Sequence, residues 1–207
     1  MKGLRFRETM TGLIDLRSAD PVAGYASATA VAVSLHARVD IDDVADFVGA
    51  DRHCASLRVE LVIPVLGGHF LSRDGQFSCF ERGAGHNGRP VQQMVYTAVI
   101  FNNDRVYRMF ARKILEPGWP WRLWRDTTTL HLALVDETPP SPQDPESARP
   151  RGAAGVVRLS PSGFLAQLTT MRAHGDVGFL DTPRLVFSYA RFFLAGLAKT
   201  YLLRARW

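Results

Sequence analysis

The sequence predicts a mainly β protein: an antiparallel β-barrel of calycin-like size with eight or nine strands, a short inserted helix and two C-terminal helices. Two observations predict this class. Up to residue 136, apolar residues alternate with polar ones in short segments separated by turn residues, which is typical of half-buried strands. After a Pro-rich segment, apolar residues recur at helical spacing instead. The chain therefore divides into a barrel domain (1–136), a connector (137–155) and helices that pack on the barrel (156–207).

Eight strands are predicted in order from this alternation. The segment from Leu57 to Val65 carries an apolar residue at every second position. Asp74 with Gly75 favours a two-residue hairpin turn. The predicted strands cover residues 5–10, 25–39, 57–65, 69–72, 76–81, 94–100, 106–114 and 127–135. No strand–helix–strand spacing occurs, so a parallel sheet is not expected.

Three helices are predicted from capping residues and apolar spacing. Asp40 is a candidate N-cap for the short inserted helix. Ser160 and Pro161 begin the first C-terminal helix, and the second begins near Pro183 and extends towards Tyr201. Five prolines lie in the connector before these helices, which predicts an exposed segment without a packed element.

A meander with this many strands must protect its edges, and closure into a barrel removes them. The alternative is a two-sheet sandwich, which needs Greek-key crossings. The short connections favour the barrel, because strands close in sequence tend to pair. An eight-stranded barrel is just wide enough to be filled by side chains or to hold one small ligand. The predicted fold is therefore a candidate container.

The chain of 207 residues carries a net charge of +5, which raises the question of nucleic-acid binding. Lys and Arg are scattered singly along the predicted strands, and the only lysines beyond the N-terminus are Lys113 and Lys199. No zinc-finger spacing, helix-turn-helix pattern or RNP-like aromatic motif accompanies them. A nucleic-acid partner is therefore not expected.

The first residues and the two cysteines bear on the compartment. Met1 leads directly into a polar, β-like segment, so no secretory signal peptide is expected. Cys54 and Cys79 have no CxxC spacing, which favours reduced thiols. The apolar stretch over residues 185–203 is interrupted by charged residues, which argues against a membrane span. A soluble, cytoplasmic protein is expected.

Asp126 is the most distinctive polar position, because three threonines, residues 127–129, follow it. A carboxylate beside hydroxyl groups at a barrel mouth suits an acid, a base or a ligand anchor. The alternative is a side-chain-to-backbone turn that starts the strand, which Asp and Thr form readily. His131 in the same strand and Tyr96 on the apolar side of an earlier strand are the other catalytic candidates.

A tryptophan-rich crossing precedes Asp126 and supplies candidate ligand contacts. Tryptophan suits the wall of an apolar pocket, and it is equally an ordinary core residue. The candidate ligand-binding residues are Trp119, Trp121, Trp124, Thr128 and His69. For His69 and His131 the alternative is a histidine without a role in a site.

No motif with an established chemistry emerges from the sequence. The six histidines have no HxH or HExxH spacing, so no metal is expected. The nucleophile elbow GxSxG does not occur. No cofactor is expected, and no reaction is named.

Five segments of the sequence together suggest a family. They are Phe6-Arg7-Glu8-Thr9-Met10-x-Gly12, Ile41-Asp42-Asp43-Val44-x-x-Phe47, Trp124-x-Asp126-Thr127-Thr128-Thr129-Leu130, Gln167-Leu168-Thr169-Thr170-Met171-Arg172 and Ala190-Arg191-Phe192-Phe193-Leu194-x-Gly196. Here the chain resembles a bacterial accessory domain found beside, or fused to, FAD-dependent oxidoreductases of the cholesterol-oxidase (GMC) type and α/β-hydrolase modules. The resemblance implies a steroid- or lipid-like substrate context and an FAD-dependent oxidoreductase as partner. It assigns no chemistry to individual residues.

The leading functional prediction is binding of a hydrophobic small molecule, sterol-, lipid- or polyketide-like, in the barrel, in support of a redox or biosynthetic pathway. One alternative is a cofactor-free isomerase or cyclase acting in the same cavity. Another is a docking subunit of an oxidoreductase. The last helix is more apolar than one barrel face requires, which favours a homodimer, a docked partner or peripheral membrane contact, with Arg204 and Arg206 near phosphates.

Overall fold

The computed structural model describes residues 1–85, 87–103, 105–119, 121–138, 152–178 and 181–201; connector residues 139–151, Arg204 and Arg206 lie outside these ranges. The described strands are β1 (Lys2–Asp15), β2 (Val31–Ile41), β3 (His53–Ile63), β4 (Gly68–Ala84), β5 (Pro90–Phe101), β6 (Val106–Leu115), β7 (Thr129–Asp136), β8 (Gly152–Arg158) and β9 (Arg172–Gly175). The described helices are α1 (Pro21–Ala26), α2 (Val44–Gly49), α3 (Arg122–Thr128), α4 (Pro161–Thr169) and α5 (Asp181–Tyr201). Within these ranges, no helix combines the length and the apolar composition that a membrane crossing requires.

Strands β1 to β8 form a closed antiparallel barrel. Each strand pairs with the next along the chain, and β8 pairs with β1 to complete the circle. Closure satisfies the edge hydrogen-bonding groups that an open sheet would expose. β9 is an additional strand that pairs with β1. The predicted class, an antiparallel barrel with a short inserted helix and C-terminal helices, is confirmed.

One edge of β1 is shared between two partners. Residues 11–15 pair with β8, and residues 2–5 pair with β9. Between them, the backbone N–H of Arg7 donates to the hydroxyl of Thr170 at 2.9 Å. Thr170 is the C-cap residue of α4, so α4 covers the part of the edge that neither strand covers. This contact brings α4 beside Glu8.

The barrel interior is packed by alternate residues of the strands, as the sequence predicts. One part of the interior is filled by side chains, and here the rings of Phe70 and Tyr107 meet edge to face with centroids 5.5 Å apart. Buried residues in the inward phase of this part include Leu35, Leu61, Phe70, Ile100, Tyr107 and Met109. The remaining part of the interior faces α3, α4 and α5.

β4 is one continuous strand, whereas the sequence predicts two strands joined by a hairpin at Asp74 and Gly75. The register of β4 against both neighbouring strands shifts near this dipeptide, which is the signature of a β-bulge. A Cβ at Gly75 would lie 2.8 Å from the carbonyl oxygen of Thr97 and 2.9 Å from that of Leu57. Glycine therefore permits close approach of three backbones here, and no turn forms.

β8 completes the barrel from beyond residue 136, although the sequence predicts a connector up to residue 155. Residues 153–157 are all buried, so the strand shows no alternation of apolar and polar positions. Its outer side is covered by α1, where a Cβ at Gly24 would lie 2.0 Å from the carbonyl oxygen of Ala154. A strand of small residues buried on both faces is not recognisable from periodicity.

α3 occupies the predicted crossing and the first residues of the predicted last strand. The hydroxyl of Thr127 donates to the carbonyl of Leu123 at 2.7 Å, and that of Thr128 donates to the carbonyl of Trp124 at 2.6 Å. These bonds to carbonyls one turn earlier accommodate threonine within a helix. The threonine run therefore ends a helix, and β7 begins at Thr129.

Candidate functional site

A largely apolar cavity of about 300 Å³ lies between the barrel interior and helices α3, α4 and α5. The barrel contributes the side chains of Phe6, Phe77 and Met94 to its walls. The helices contribute Trp124, Phe164 and Phe193. The volume lies at the lower end of the range of about 300–1,000 Å³ that is usual for small-molecule sites.

A buried polar cluster centred on Glu8 forms part of the cavity wall. The Nζ of Lys113 donates to both Glu8 carboxylate oxygens, at 3.0 and 3.2 Å. The hydroxyl of Tyr96 donates to Oε2 at 2.9 Å, and the Nε2 of Gln167 donates to Oε1 at 2.9 Å. The side chains of Lys113 and Glu8 are only 2% and 7% exposed. The carboxylate thus accepts four hydrogen bonds, which occupies its lone pairs.

The electrostatics of the cluster keep Tyr96 protonated. Burial, followed by the negative charge of Glu8 and the hydrogen bond to it, raises the pKa of the Tyr96 phenol well above its usual value. The Lys113 ammonium also lies 5.5 Å from the centre of the Tyr96 ring, within the range of a cation–π contact. The cluster therefore contains one positive and one negative charge and a neutral phenol, all shielded from water.

Strand periodicity places these charged groups inside the barrel. In β1, Glu8 stands in phase with the buried Phe6 and Met10. In β6, Lys113 stands in phase with the buried Ala111 and Leu115. An acidic residue and a basic residue, each at an inward-facing position of an otherwise apolar strand, indicate a buried ion pair. Sequence reasoning missed this signal.

The cavity opens to the surface through an apolar mouth between the three helices. Trp124 of α3, Leu168 of α4 and Leu194 of α5 line the cavity and are 41%, 46% and 63% exposed. The opening is thus rimmed by one large apolar side chain from each helix. Along α5, Phe187 is also exposed.

Three of the residues that the sequence singled out meet at this cavity. Tyr96 lies in the buried cluster, and Trp124 and Thr128 line the wall. The hydroxyl proton of Thr128 is donated to a main-chain carbonyl, so its oxygen faces a ligand only as an acceptor. Sequence reasoning missed Glu8, Lys113 and Gln167 as site residues.

Asp126 and His131 do not reach this cavity. Both line a separate depression of about 300 Å³ on the outer face of the barrel. Asp126 accepts a hydrogen bond from the Tyr201 hydroxyl at 2.8 Å, which ties the end of α5 to α3. Burial, followed by the charge of Asp126, raises the pKa of Tyr201. The catalytic roles of Asp126 and His131 stay predictions, and the position of the two residues outside the cavity does not support them.

The remaining candidates lie on the surface. The rings of Trp119 and Trp121 stack on each other, with centroids 4.8 Å apart, and both are exposed. His69 pairs with Glu60 at 2.6 Å on the outside of the barrel. None of these three is among the described residues that line the cavity.

Four of the five sequence segments on which the predicted resemblance rests contribute residues to the cavity wall. Their lining residues are Phe6 and Glu8 of β1, Trp124, Thr127 and Thr128 of α3, Gln167 and Leu168 of α4, and Ala190, Phe193 and Leu194 of α5. The segments are far apart in sequence and adjacent in the fold. Gly83, Gly85 and Gly88 form the pattern G-x-G-x-x-G in the sequence. Gly83 lies in β4, and Gly85 and Gly88 lie between β4 and the antiparallel β5, which is not the strand-to-helix context of a dinucleotide site.

The fold and the cavity define a closed β-barrel with an internal compartment of ligand size. Comparisons of the chain with protein-family models, with curated proteins and with solved structures give no match. Among the described residues, no group of three or more His, Cys, Asp or Glu side chains is arranged to hold a metal ion.

Proposed function

We propose that the protein binds a hydrophobic small molecule in the barrel cavity, in support of a redox or biosynthetic pathway. A sterol-, lipid- or polyketide-like molecule is the class that we expect. The observation that carries the proposal is the cavity itself, an apolar compartment with one polar cluster and an open apolar mouth. Sites of this kind hold ligands by apolar burial and orient them by a few polar groups.

The balance of charge in the cavity favours an uncharged ligand. Glu8 and Lys113 neutralise each other within the cluster, so a charged ligand group would be buried without a counter-ion. Such burial is strongly unfavourable. Apolar contact contributes about 25 cal/mol for each Å² removed from water, and the apolar side chains of the walls supply this contact.

A substitution that fills the cavity tests the proposal. Ala190 of α5 lines the cavity, and Ala195 on the same helix is exposed and lies outside the lining. We expect Ala190→Phe to weaken binding of the uncharged fluorescent dye Nile red at least tenfold, because the new ring occupies the ligand volume. Ala195→Phe, the matched control, should bind the dye as the native chain does. Equal binding by all three proteins would place the dye on the surface and overturn the proposal.

A cofactor-free isomerase or cyclase in the same cavity is the second candidate. Tyr96 and Lys113 carry protons in a site shielded from water, where a ligand carbonyl is polarised most effectively. Glu8, the one carboxylate among the described lining residues, has its lone pairs occupied, which ranks binding first. Catalysis would show as solvent deuterium entering a bound ketone by NMR and would be lost in Tyr96→Phe. A ketone that binds and stays unlabelled supports binding alone.

A further inference from the structure

The surface around the cavity mouth is apolar beyond the mouth itself. Leu165 of α4 and Phe187 of α5 are 64% and 69% exposed. Leu165 lies one turn before the mouth residue Leu168, and Phe187 lies two turns before the mouth residue Leu194, so each helix extends the apolar rim along its own axis. Helix α4 contains no charged residue. These four residues and Trp124 of α3 are called the mouth face below.

Helix α5 adds basic side chains to the mouth face. Arg184, Phe187, Arg191 and Leu194 are all exposed. They follow one another at spacings of three, four and three residues, so they lie along one side of the helix. Neither arginine forms an ion pair with another described residue. One side of α5 therefore presents apolar and positively charged groups in turn.

The acidic residues of the three helices do not balance these arginines. The described helices α3, α4 and α5 contain two acidic residues, Asp126 and Asp181. Asp126 is buried and accepts a hydrogen bond from Tyr201, and Asp181 pairs with Lys2. The same helices contain five basic residues, Arg122, Arg125, Arg184, Arg191 and Lys199. The surface that carries the mouth face is thus positively charged.

This combination of groups distinguishes between the partners that an apolar face can have. In a two-fold symmetric dimer the same patch contacts itself, which would bring one positive surface against another, an unfavourable arrangement. A bilayer with anionic lipids matches both components, because lipid phosphates pair with arginine and the acyl region accepts leucine, phenylalanine and tryptophan. The observed surface therefore favours an anionic membrane over a second copy of the chain.

We propose that the mouth face docks on the surface of a bilayer that contains anionic lipids, with Arg184 and Arg191 at the level of the phosphates. The proposal goes beyond the proposed function, because it rests on the surface residues and not on the contents of the cavity. In the docked position the mouth opens towards the acyl chains. A hydrophobic ligand then enters the cavity without crossing water.

Co-sedimentation with sucrose-loaded vesicles tests the proposal with the full chain. One set of vesicles is phosphatidylcholine alone, and the other is phosphatidylcholine mixed with phosphatidylserine. We expect the mixed vesicles to bind the chain at least tenfold more tightly, because each basic residue near an anionic surface strengthens binding about fivefold. Raised salt should weaken this binding by screening the charges.

Two charge-reversal variants locate the contact. Arg184→Glu combined with Arg191→Glu should weaken binding to the mixed vesicles at least tenfold. The matched control is Arg58→Glu combined with Arg73→Glu, which makes the same change of charge at exposed arginines of β3 and β4, and it should bind nearly as the native chain does. Phe187→Ser removes an apolar contact from outside the cavity lining and should also weaken vesicle binding.

Equal binding to the two kinds of vesicle, no binding to either, or equal losses in the two charge-reversal variants would overturn the proposal. Light scattering of the native chain without vesicles records the alternative occupant, since a dimer that binds no vesicles would assign the mouth face to a second copy. Ala190→Phe fills the cavity and should keep native vesicle binding. A failure of membrane docking is thereby distinguished from a failure of ligand binding.

Discussion

Glu8 and Lys113 form an ion pair inside an otherwise apolar barrel, and each is nine-tenths or more buried. A buried pair is costly to desolvate, and its removal as a unit is often neutral for stability. Removal of one partner is different, because it leaves a buried charge without compensation. The pair is therefore better suited to shaping the cavity than to stabilising the barrel.

A double-mutant cycle tests this view of the pair. Lys113→Met and Glu8→Gln should each lower the free energy of unfolding, Lys113→Met by about 3–5 kcal/mol because Glu8 is then buried alone. The double variant should lose much less than the sum of the single losses, as measured by chemical denaturation. Strictly additive losses would show that the two groups do not interact.

The sequence predicts some of these site residues and not others, for a physical reason. Tyr96, Trp124 and Thr128 are conspicuous as aromatic or hydroxyl residues beside apolar segments. Glu8 and Lys113 are ordinary surface residue types, and only their phase within a strand places them inside. The set of alternate residues that faces the barrel interior is fixed only when the barrel closes. The contact between Glu8 and Lys113 across the interior therefore depends on the tertiary structure.

Helix α5 packs on the barrel through a cluster of aromatic rings around Phe80. Phe80 has a φ of 56°, a left-handed conformation that is uncommon for a bulky residue, at a second bulge of β4. This backbone directs its ring towards Phe192 and Phe193, with centroids 5.6 and 5.7 Å away. Phe192 and Phe193 are both partly buried against the core.

Gly196 of α5 provides the space for the Phe80 ring. A Cβ at Gly196 would lie 2.3 Å from ring carbons of Phe80. We expect Gly196→Ala to destabilise the native chain by about 1–3 kcal/mol through overpacking, in spite of the better helix propensity of alanine. In a Phe80→Leu background the same substitution should become stabilising, by up to about 1 kcal/mol. Thermal and urea unfolding of the four proteins check this, and the same sign in both backgrounds would contradict the packing account.

Among the elements, alternation along a strand is predicted well and exceptions to alternation are not. The inward faces of β2, β3 and β5 follow the pattern of the sequence. The Asp74–Gly75 dipeptide has the composition of a turn, but its glycine serves a close backbone approach. β8 has small residues buried on both faces, and such a strand carries no period of two.

The whole molecule is a barrel that is filled in one part and left open under three helices in the other. The last residues of β1 pair with β8 and so close the barrel. The final residue of the strand, Asp15, accepts hydrogen bonds from the hydroxyls of Ser27 and Thr29 and from the backbone N–H of Arg17. Thus one carboxylate joins the last residue of β1 to the segment that leads into β2.

These contacts predict a specific pH dependence of global stability. The hydrogen bonds from Ser27, Thr29 and Arg17 lower the pKa of Asp15 to about 2 in the folded protein, whereas an unfolded Asp has a pKa of about 3.9. The stabilisation is therefore complete above about pH 4 and is lost as the pH falls towards the folded-state pKa. Asp15→Asn should have a lower Tm than the native chain at neutral pH, and the difference should shrink on acidification.

Asp51→Asn, which changes an exposed carboxylate, is the control for this experiment. Its Tm should follow that of the native chain over the whole pH range. A constant Tm difference between Asp15→Asn and the native chain, down to the lowest pH, would show that Asp15 acts through packing and not through its charge.

The hydrogen bond between Arg7 and Thr170 makes the contact between β1 and α4 measurable by hydrogen exchange. Most amide hydrogens of β1 are held by neighbouring strands, but the one at Arg7 is held by a side chain at the end of α4. Exchange of that hydrogen with solvent requires the contact between β1 and the end of α4 to open, and it does not require the barrel to unfold. The exchange rate of the Arg7 amide therefore reports how often this contact between β1 and α4 opens. A ligand that holds α4 in place would lower that exchange rate.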